Sequence, residues 1–286
     1  MNVLKTALLL SALTALLIFI GGLLGGHQGA MAMFIIALLM NLVSYWFSDK
    51  IVLAMHRAKP LNEADAPHVY RAVREIASRD RLPMPKLYWI GTKTPNAFAT
   101  GRSPKHAAVA VTSGLLEIMN EEELKGVLAH ELSHVKNRDT LVMCIAAAIA
   151  GAIMMLARMA QWSLWMGGGR SRDSENRSGA ALQLVAMLLV AILAPLAAML
   201  IQLAISRTRE YGADATGAHL TGNPHGLASA LEKLHQATRD YPLPNANPAT
   251  AHLFIVNPLS AGAIAGLFST HPPVAERVRR LRSMRL

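Results

Sequence analysis

The segment His130-Glu131-Leu132-Ser133-His134 is the part of this chain best equipped for chemistry. On a helix, positions i and i+4 lie on one face about one turn apart. Two imidazoles at that spacing can bind a single Zn²⁺ through their ring nitrogens. Zinc lowers the pKa of a water it holds towards 7 and polarises a carbonyl. A Glu beside the first His is placed to take that water's proton. The pattern therefore points to peptide-bond hydrolysis, with His130 and His134 as ligands and Glu131 as general base. The competing reading is a surface helix that carries His and Glu for solubility.

A catalytic zinc takes three protein ligands and keeps an open position. The extended form H-E-x-x-H-x-x-G-x-x-H is absent, because Asn137 and Thr140 stand where its Gly and His would be. Few acids follow residue 140. Asp173 and Glu175 fall in a loop predicted to lie across the membrane. Glu210, just past the fourth apolar run, is the expected third ligand. Asp214 lies at i+4 from it and is placed to accept a hydrogen bond from a ligand His, which would fix ring orientation and tautomer.

Several elements must position these groups. Ala64–Arg79 has the spacing of an amphipathic helix, with Val69, Val73 and Ile76 on one face. Short strand-like pieces follow at Lys86–Ile90, Ala97–Thr100 and Ala107–Thr112, set off by Pro and Gly. Asn120 before Glu121, Glu122 and Glu123 marks a helix start, with a cap and acids at the positive end of the dipole. No Gly or Pro occurs from Val127 to Ala150, which predicts one helix running through the motif into the next apolar run. Further helices are expected over Arg209–His219, Leu227–Thr238 and Val274–Arg285. The Arg-rich stretch Arg277–Arg285 reads as a solvated face that touches anionic headgroups.

The composition is that of a membrane protein. Hydrophobic residues make up 52% and charged residues 16%, against roughly 25% charged in soluble domains. Between Thr6 and Ser48 there is no Asp, Glu, Lys or Arg. A bilayer core takes about 20 helical residues, so this stretch predicts two spans, 6–24 and 30–48, separated at Gly25–Gly29. A cleaved signal peptide is the alternative, but the run is too long and a second span follows at once. Thr140–Ala157 and Ser178–Ser206 predict a further hairpin, either spanning or re-entrant, with Arg158 a costly feature in lipid.

Charge distribution bears on topology. The net charge is +10, and most Lys and Arg residues fall at Lys5, within 49–140 or within 206–286. Four crossings put all of these on one side, which the positive-inside rule makes the cytoplasm. Three Arg residues in the loop between the last two runs weaken that argument. Aromatics are few and not interleaved with the basic positions, so nucleic acid is not an expected partner. The single cysteine, Cys144, excludes an intramolecular disulfide and a thiolate zinc site.

Three segments together resemble the HtpX heat-shock membrane protease family, which shares a superfamily with the CAAX prenyl endoproteases. They are the H-E-x-x-H helix, the Arg209-Glu210-Tyr211-Gly212-Ala213-Asp214 segment, and the strand Asn96-Ala97-Phe98-Ala99-Thr100-Gly101. The late motif Thr270-His271-Pro272-Pro273 adds to the likeness. The resemblance implies a gluzincin-type domain, one zinc per chain, and quality-control proteolysis in the bacterial inner membrane. It leaves a narrow-specificity processing protease as an alternative, and a non-catalytic zinc-stabilised scaffold as a more distant one.

The expected architecture is an α-helical membrane protein with an α+β zincin-like catalytic domain, mostly α with a small β-sheet. Residues 1–50 form two transmembrane helices and 51–139 the first part of the protease domain. Residues 140–206 form the spanning or re-entrant hairpin, and 207–286 the second part of the protease domain. Expected partners are the lipid bilayer and misfolded or unfolded polypeptides, cut at the cytoplasmic face. Such substrates pair with an edge strand, for which residues 96–100, with Asn96, Ala97 and Phe98, or residues 107–111 are candidates. His271 is a candidate to stabilise the oxyanion, with capping or packing as the alternative.

Overall fold

The computed structural model describes residues 2–150, 153, 207–240, 253–256 and 272–286. The apolar start of the chain forms helix α1, Asn2–Met55, broken at Gly25 and Gly26. Gly26, with φ +58° and ψ −143°, adopts a backbone conformation essentially restricted to glycine. Its two arms fold back on each other. Asn41 Nδ2 donates to Thr14 Oγ1 at 2.9 Å and to Leu10 O at 3.4 Å. Gly21 and Gly29 meet backbone to backbone, so a Cβ on either would run into the other's carbonyl oxygen. The expected break at 25–29 is thus narrower, because the glycine pair alone supplies the reversal and residues 27–29 are already helical.

The second arm, Gly25–Met55, has 31 residues and is long and apolar enough to cross a bilayer. It continues beyond the expected end at Ser48. Phe34, Ile35, Leu38, Leu39 and Leu42 are exposed along it. Their opposite neighbours Leu13, Leu17 and Ala37 are buried against Val142, Ile145 and Ile149. The expected span at Ser178–Ser206 lies outside the described residues.

After α1 come strand β1 (Lys59–Pro60), helix α2 (Pro67–Arg79), strands β2 (Lys86–Ile90), β3 (Ala97–Thr100) and β4 (Ala108–Thr112), and helix α3 (Ser113–Ile118). The sheet order is β1-β2-β4-β3. β2 and β4 run parallel, while β1 and β3 pair antiparallel at the two ends. β3 is therefore an edge strand. Side chains alternate across a strand, and here both faces are buried. Leu87, Val109, Val111, Ala97 and Ala99 pack with Val69, Val73 and Ile76 of α2 and with the motif helix. Ile90, Ala108, Ala110 and Phe98 pack against Val52 and Leu53 of α1 and against Met143, Cys144 and Ala147. One sheet thus joins the motif helix to the apolar hairpin. The expected strands stand, apart from a one-residue later start at Ala108. β1 and α3 went unforeseen: a two-residue strand has no readable period, and α3 starts where Thr112 Oγ1 accepts Leu115 N–H at 3.2 Å.

Helix α4, Glu121–Lys136, carries the motif. Its start is a capping box: Asn120 Oδ1 accepts Glu123 N–H (2.9 Å), and Glu123 Oε2 accepts Asn120 N–H (3.0 Å). The expectation of one helix through to Ala150 is corrected. Arg138 has φ +57°, in the left-handed region that breaks a helix, and a separate helix α5, Asp139–Ala150, begins there. Helices α6 (Arg207–Thr221), α7 (Pro224–Asp240) and α8 (Val274–Arg282) complete the described elements. α6 and α7 press closely on α4. A Cβ on Gly126 would lie 2.7 Å from Leu227 N, and one on Gly217 would lie 3.0 Å from His130 N.

Candidate metal centre

His130 and His134 project from α4, and Glu210 comes from the first turn of α6. Their ligating atoms all lie within 4.8 Å of one another. His134 Nε2 is 3.4 Å from Glu210 Oε1, His130 Nε2 is 3.7 Å from Glu210 Oε2, and the two Nε2 atoms are 3.3 Å apart. All three side chains are buried. Nitrogen and carboxylate oxygen converging from two helices make a donor set that fits a divalent ion.

The Nδ1 atoms face the other way, each towards a carboxylate. His130 Nδ1 lies 3.0 Å from Asp214 Oδ1, the bond expected from the i+4 spacing to Glu210. His134 Nδ1 lies 3.3 Å from Asp139 Oδ2. A carboxylate at Nδ1 holds the proton there and leaves the Nε2 lone pair for a metal. Each carboxylate is in turn held by an arginine. Arg277 donates to Asp214 from Nε (2.8 Å) and Nη2 (2.7 Å), and Arg209 Nη1 donates to Asp139 Oδ1 at 3.2 Å. Arg277 also donates to Ile255 O at 3.1 Å.

This overturns the expected solvated face at Arg277, which is wholly buried. A signal existed. Val274, Val278 and Leu281 form a stripe at i, i+4 and i+7, and Arg277 at i+3 falls within it. Asp139 depends on the break at Arg138, since a continuous helix would have carried it away from His134. No local pattern announces that break.

Electrostatics agree with a cation site. Burial alone would raise the Asp214 pKa, but the charge and hydrogen bonds of Arg277, joined by His130, hold it well below the usual carboxylate range. Burial opposes charge on His134, yet Glu210, Asp139 and Glu131 outweigh it and push the imidazole up to about 9. Burial raises the Glu131 pKa; the two histidines and the Ala99 N–H act against it, and Glu210 adds to it.

Glu131 Oε2 accepts the backbone N–H of Ala99 at 2.9 Å, so the motif helix is tied to edge strand β3. That N–H points away from β4. By alternation Ala97 shares its direction, whereas Asn96 O accepts Thr112 N–H from the β4 side (3.0 Å). Of Asn96, Ala97 and Phe98, Ala97 is therefore the one whose backbone faces the open edge, together with Ala99. Asn96 is buried and its Oδ1 accepts Ile255 N–H at 3.2 Å, holding the Leu253–Ile255 segment at the cleft. Phe98, Ala99, Met143 and Leu253–Ile255 line the cleft around His130, His134, Glu210 and Glu131. His271 lies outside the described residues. Cys144 is buried beside Thr100, Sγ to Oγ1 2.8 Å, and is not among the residues lining the cleft.

Comparison with known proteins gives this arrangement its class: the chain is a metallopeptidase. It belongs to peptidase family M48, matched across residues 63–285. It is similar along its length to proteins named protease HtpX homolog. That of Syntrophobacter fumaroxidans is 61% identical over 280 residues, 98% of each chain. That of Pyrococcus furiosus is 55% identical over 280 residues, 98% of this chain and 95% of the other. The crystal structure of S. mikatae Ste24p matches with a TM-score of 0.49 and 17% identity, over 97% of this chain and 62% of that one. The family resemblance read from the motifs holds.

Proposed function

We propose that this metallopeptidase is a membrane-embedded zinc endopeptidase that cuts loosened segments of misfolded or damaged membrane proteins at the cytoplasmic face. The observation that carries this reading is the shared sheet, with the metal centre on one side and the apolar hairpin on the other. The metal centre sits against the start of apolar helix α5: Asp139, its first residue, lies 3.3 Å from His134, and Met143 lines the cleft. Exposed Phe, Ile and Leu along α1 suit contact with lipid. Arg57 and Lys59 follow the long helix directly, as the positive-inside rule asks of a cytoplasmic end. In this reading residues 1–50 and 140–206 form the membrane part.

His130, His134 and Glu210 hold zinc, the metal suited to two imidazoles and a carboxylate with a position left open. When bound, zinc supplies Lewis-acid polarisation of the scissile carbonyl and a water acidic enough to ionise near neutral pH. Glu131 takes the proton of the attacking water and passes it to the leaving amine. Asp214 and Asp139 keep the histidine tautomers fixed. Ala97 and the carbonyl of Ala99 offer edge backbone groups to an extended substrate, which excludes tightly folded segments.

The test is digestion of a loosely folded multi-span substrate in detergent, using zinc-loaded, chelated and Glu131→Gln protein. Only the first should cut, and the new termini should map to loops and juxtamembrane segments. Termini concentrated inside transmembrane helices would sink the placement of the site. Labelling of cysteines introduced at residues 60–120 from outside intact cells would reverse the orientation.

A further inference from the structure

Helix α1 changes character at one level. Its backbone leaves helical geometry at Phe47, with φ −118° and ψ 16°. The stretch without Asp, Glu, Lys or Arg ends one residue later, at Ser48. About 20 helical residues cross a bilayer core, which brings an arm starting at Gly25 out near residues 45–47. Tyr45, Trp46 and Phe47 are all exposed, and the rings of Tyr45 and Trp46 meet edge-on at 5.7 Å. Trp and Tyr are enriched where membrane meets water.

The loop from β3 to β4, residues 101–107, returns to this level. It brings the Arg102 guanidinium to 4.8 Å from the centroid of the Trp46 ring, where Nη1 also donates to Trp46 O at 3.3 Å. Lys50 Nζ lies 5.3 Å from the centroid of Phe47. Each ring thus has a cation over it, one supplied by the loop and one by the helix. Lys105 and His106 are exposed in the same loop, and Asp49, half-buried, is the acid next to Lys50. The loop is tightly held. A Cβ on Gly101, which has φ +129°, would run into His106 O. Gly101 O accepts the buried Thr140 hydroxyl at 3.0 Å, and Thr140 follows Asp139, the residue that faces His134.

We infer that the β3–β4 loop is a foot of the catalytic domain on the cytoplasmic leaflet, where Arg102, with Lys50 and Lys105, takes anionic phospholipid headgroups. The inference rests on the membrane part of the reading above and is independent of its proteolytic part. Cations alone suit many anions. Cations seated on exposed rings at the end of a charge-free span suit a lipid, which brings acyl chains to the rings and phosphate to the charges. Arginine is the residue for such a place, because a guanidinium stacks on an aromatic face while its N–H groups bind phosphate. The foot continues directly from β3, whose Ala99 N–H holds Glu131. Headgroup binding therefore fixes the height of the edge strand, and of the general base tied to it, above the bilayer.

The experiment uses full-length protein in nanodiscs of equimolar phosphatidylcholine and phosphatidylglycerol, with one of the two lipids brominated near the top of its chains. Bromine quenches nearby tryptophan, and the difference between each protein and its Trp46→Phe counterpart isolates Trp46. Brominated phosphatidylglycerol should associate with the Trp46 site about fivefold more strongly than brominated phosphatidylcholine, the effect of one basic residue at an anionic membrane surface. Arg102→Gln/Lys105→Gln should bring that ratio towards one. Arg102→Lys, which keeps the charge, should retain it, as should Arg279→Gln/Arg282→Gln in the basic helix α8. Equal quenching by the two lipids in wild type overturns the headgroup site and leaves the membrane reading standing. A preference that survives Arg102→Gln/Lys105→Gln, or that vanishes with Arg279→Gln/Arg282→Gln, assigns the lipid to other cations and overturns it too. Loss of the preference in Arg102→Lys makes the residue a structural support and likewise overturns it. If neither brominated lipid quenches Trp46, the placement of α1 in the bilayer falls and the foot with it.

Discussion

Arg277 and Asp214 form a bidentate, buried ion pair directly behind His130, so the last described helix of the chain is bonded to the metal centre. Its role is to position another group: Arg277 fixes Asp214, which fixes the imidazole. Arg277→Ala strands a buried carboxylate, and loss of one partner from such a pair costs about 3–5 kcal/mol. Arg277→Lys keeps the charge but not the two-pronged geometry. The Lys variant should fold, with zinc affinity lowered by roughly 10–100-fold, the usual cost of losing a group behind a ligand. Zinc competition against a chromophoric chelator measures this. Wild-type affinity in the Lys variant would remove the positioning role.

Glu131 and Glu210 should separate cleanly by metal content. Glu131→Gln should lose activity by at least about 10²-fold, as expected for a missing general base, with zinc content unchanged. Glu210→Ala should lose zinc on dialysis, and Asp214→Ala should lose less. Binding to the folded state alone raises stability with ligand concentration. Added zinc should therefore raise the Tm of Glu131→Gln and leave that of Glu210→Ala unmoved. Full zinc occupancy in Glu210→Ala would rule out its ligand role.

Metal uptake should expel a proton. In the metal-free protein the folded pKa of His134 is raised from 6.5 to about 9. Its stabilising contribution is therefore complete below pH 6.5 and fades as pH rises towards 9. A ligand imidazole must be neutral, so at pH 7 zinc binding should release about one proton per chain from this group. Calorimetry in buffers of different ionisation enthalpy counts that proton. A buffer-independent enthalpy would show that His134 is already neutral.

Gly126→Ala should destabilise the catalytic domain by about 1–3 kcal/mol, the usual cost of overpacking, despite the better helix propensity of Ala. The new methyl would meet the backbone of Leu227 at 2.7 Å, and a helix backbone cannot swing aside as a side chain can. Denaturant unfolding of the detergent-solubilised protein gives the sign. A stabilised variant would mean that α7 can yield to α4.

The chemistry was written locally. His130, Glu131 and His134 share one helix turn, and the helical period alone puts both imidazoles on one face. The same logic tied Asp214 to Glu210, and turn residues marked the strands at Lys86–Ile90 and Ala97–Thr100. The long charge-free stretch revealed the apolar hairpin, because charge in lipid is costly enough to leave a clear compositional trace. What tertiary structure decided was which distant groups meet. Arg277 reads as one cation in a basic tail until α8 packs on α6 and turns it inward. Asp139 reads as a helix residue until a single left-handed backbone angle at Arg138 folds it back onto His134. The apolar stripe of α8 marks Arg277 as inward-facing without naming its partner, and no local period or preference announces the break at Arg138. An ion pair across a core gains its energy only after both partners leave water together, and the chain alone does not say which partners those will be.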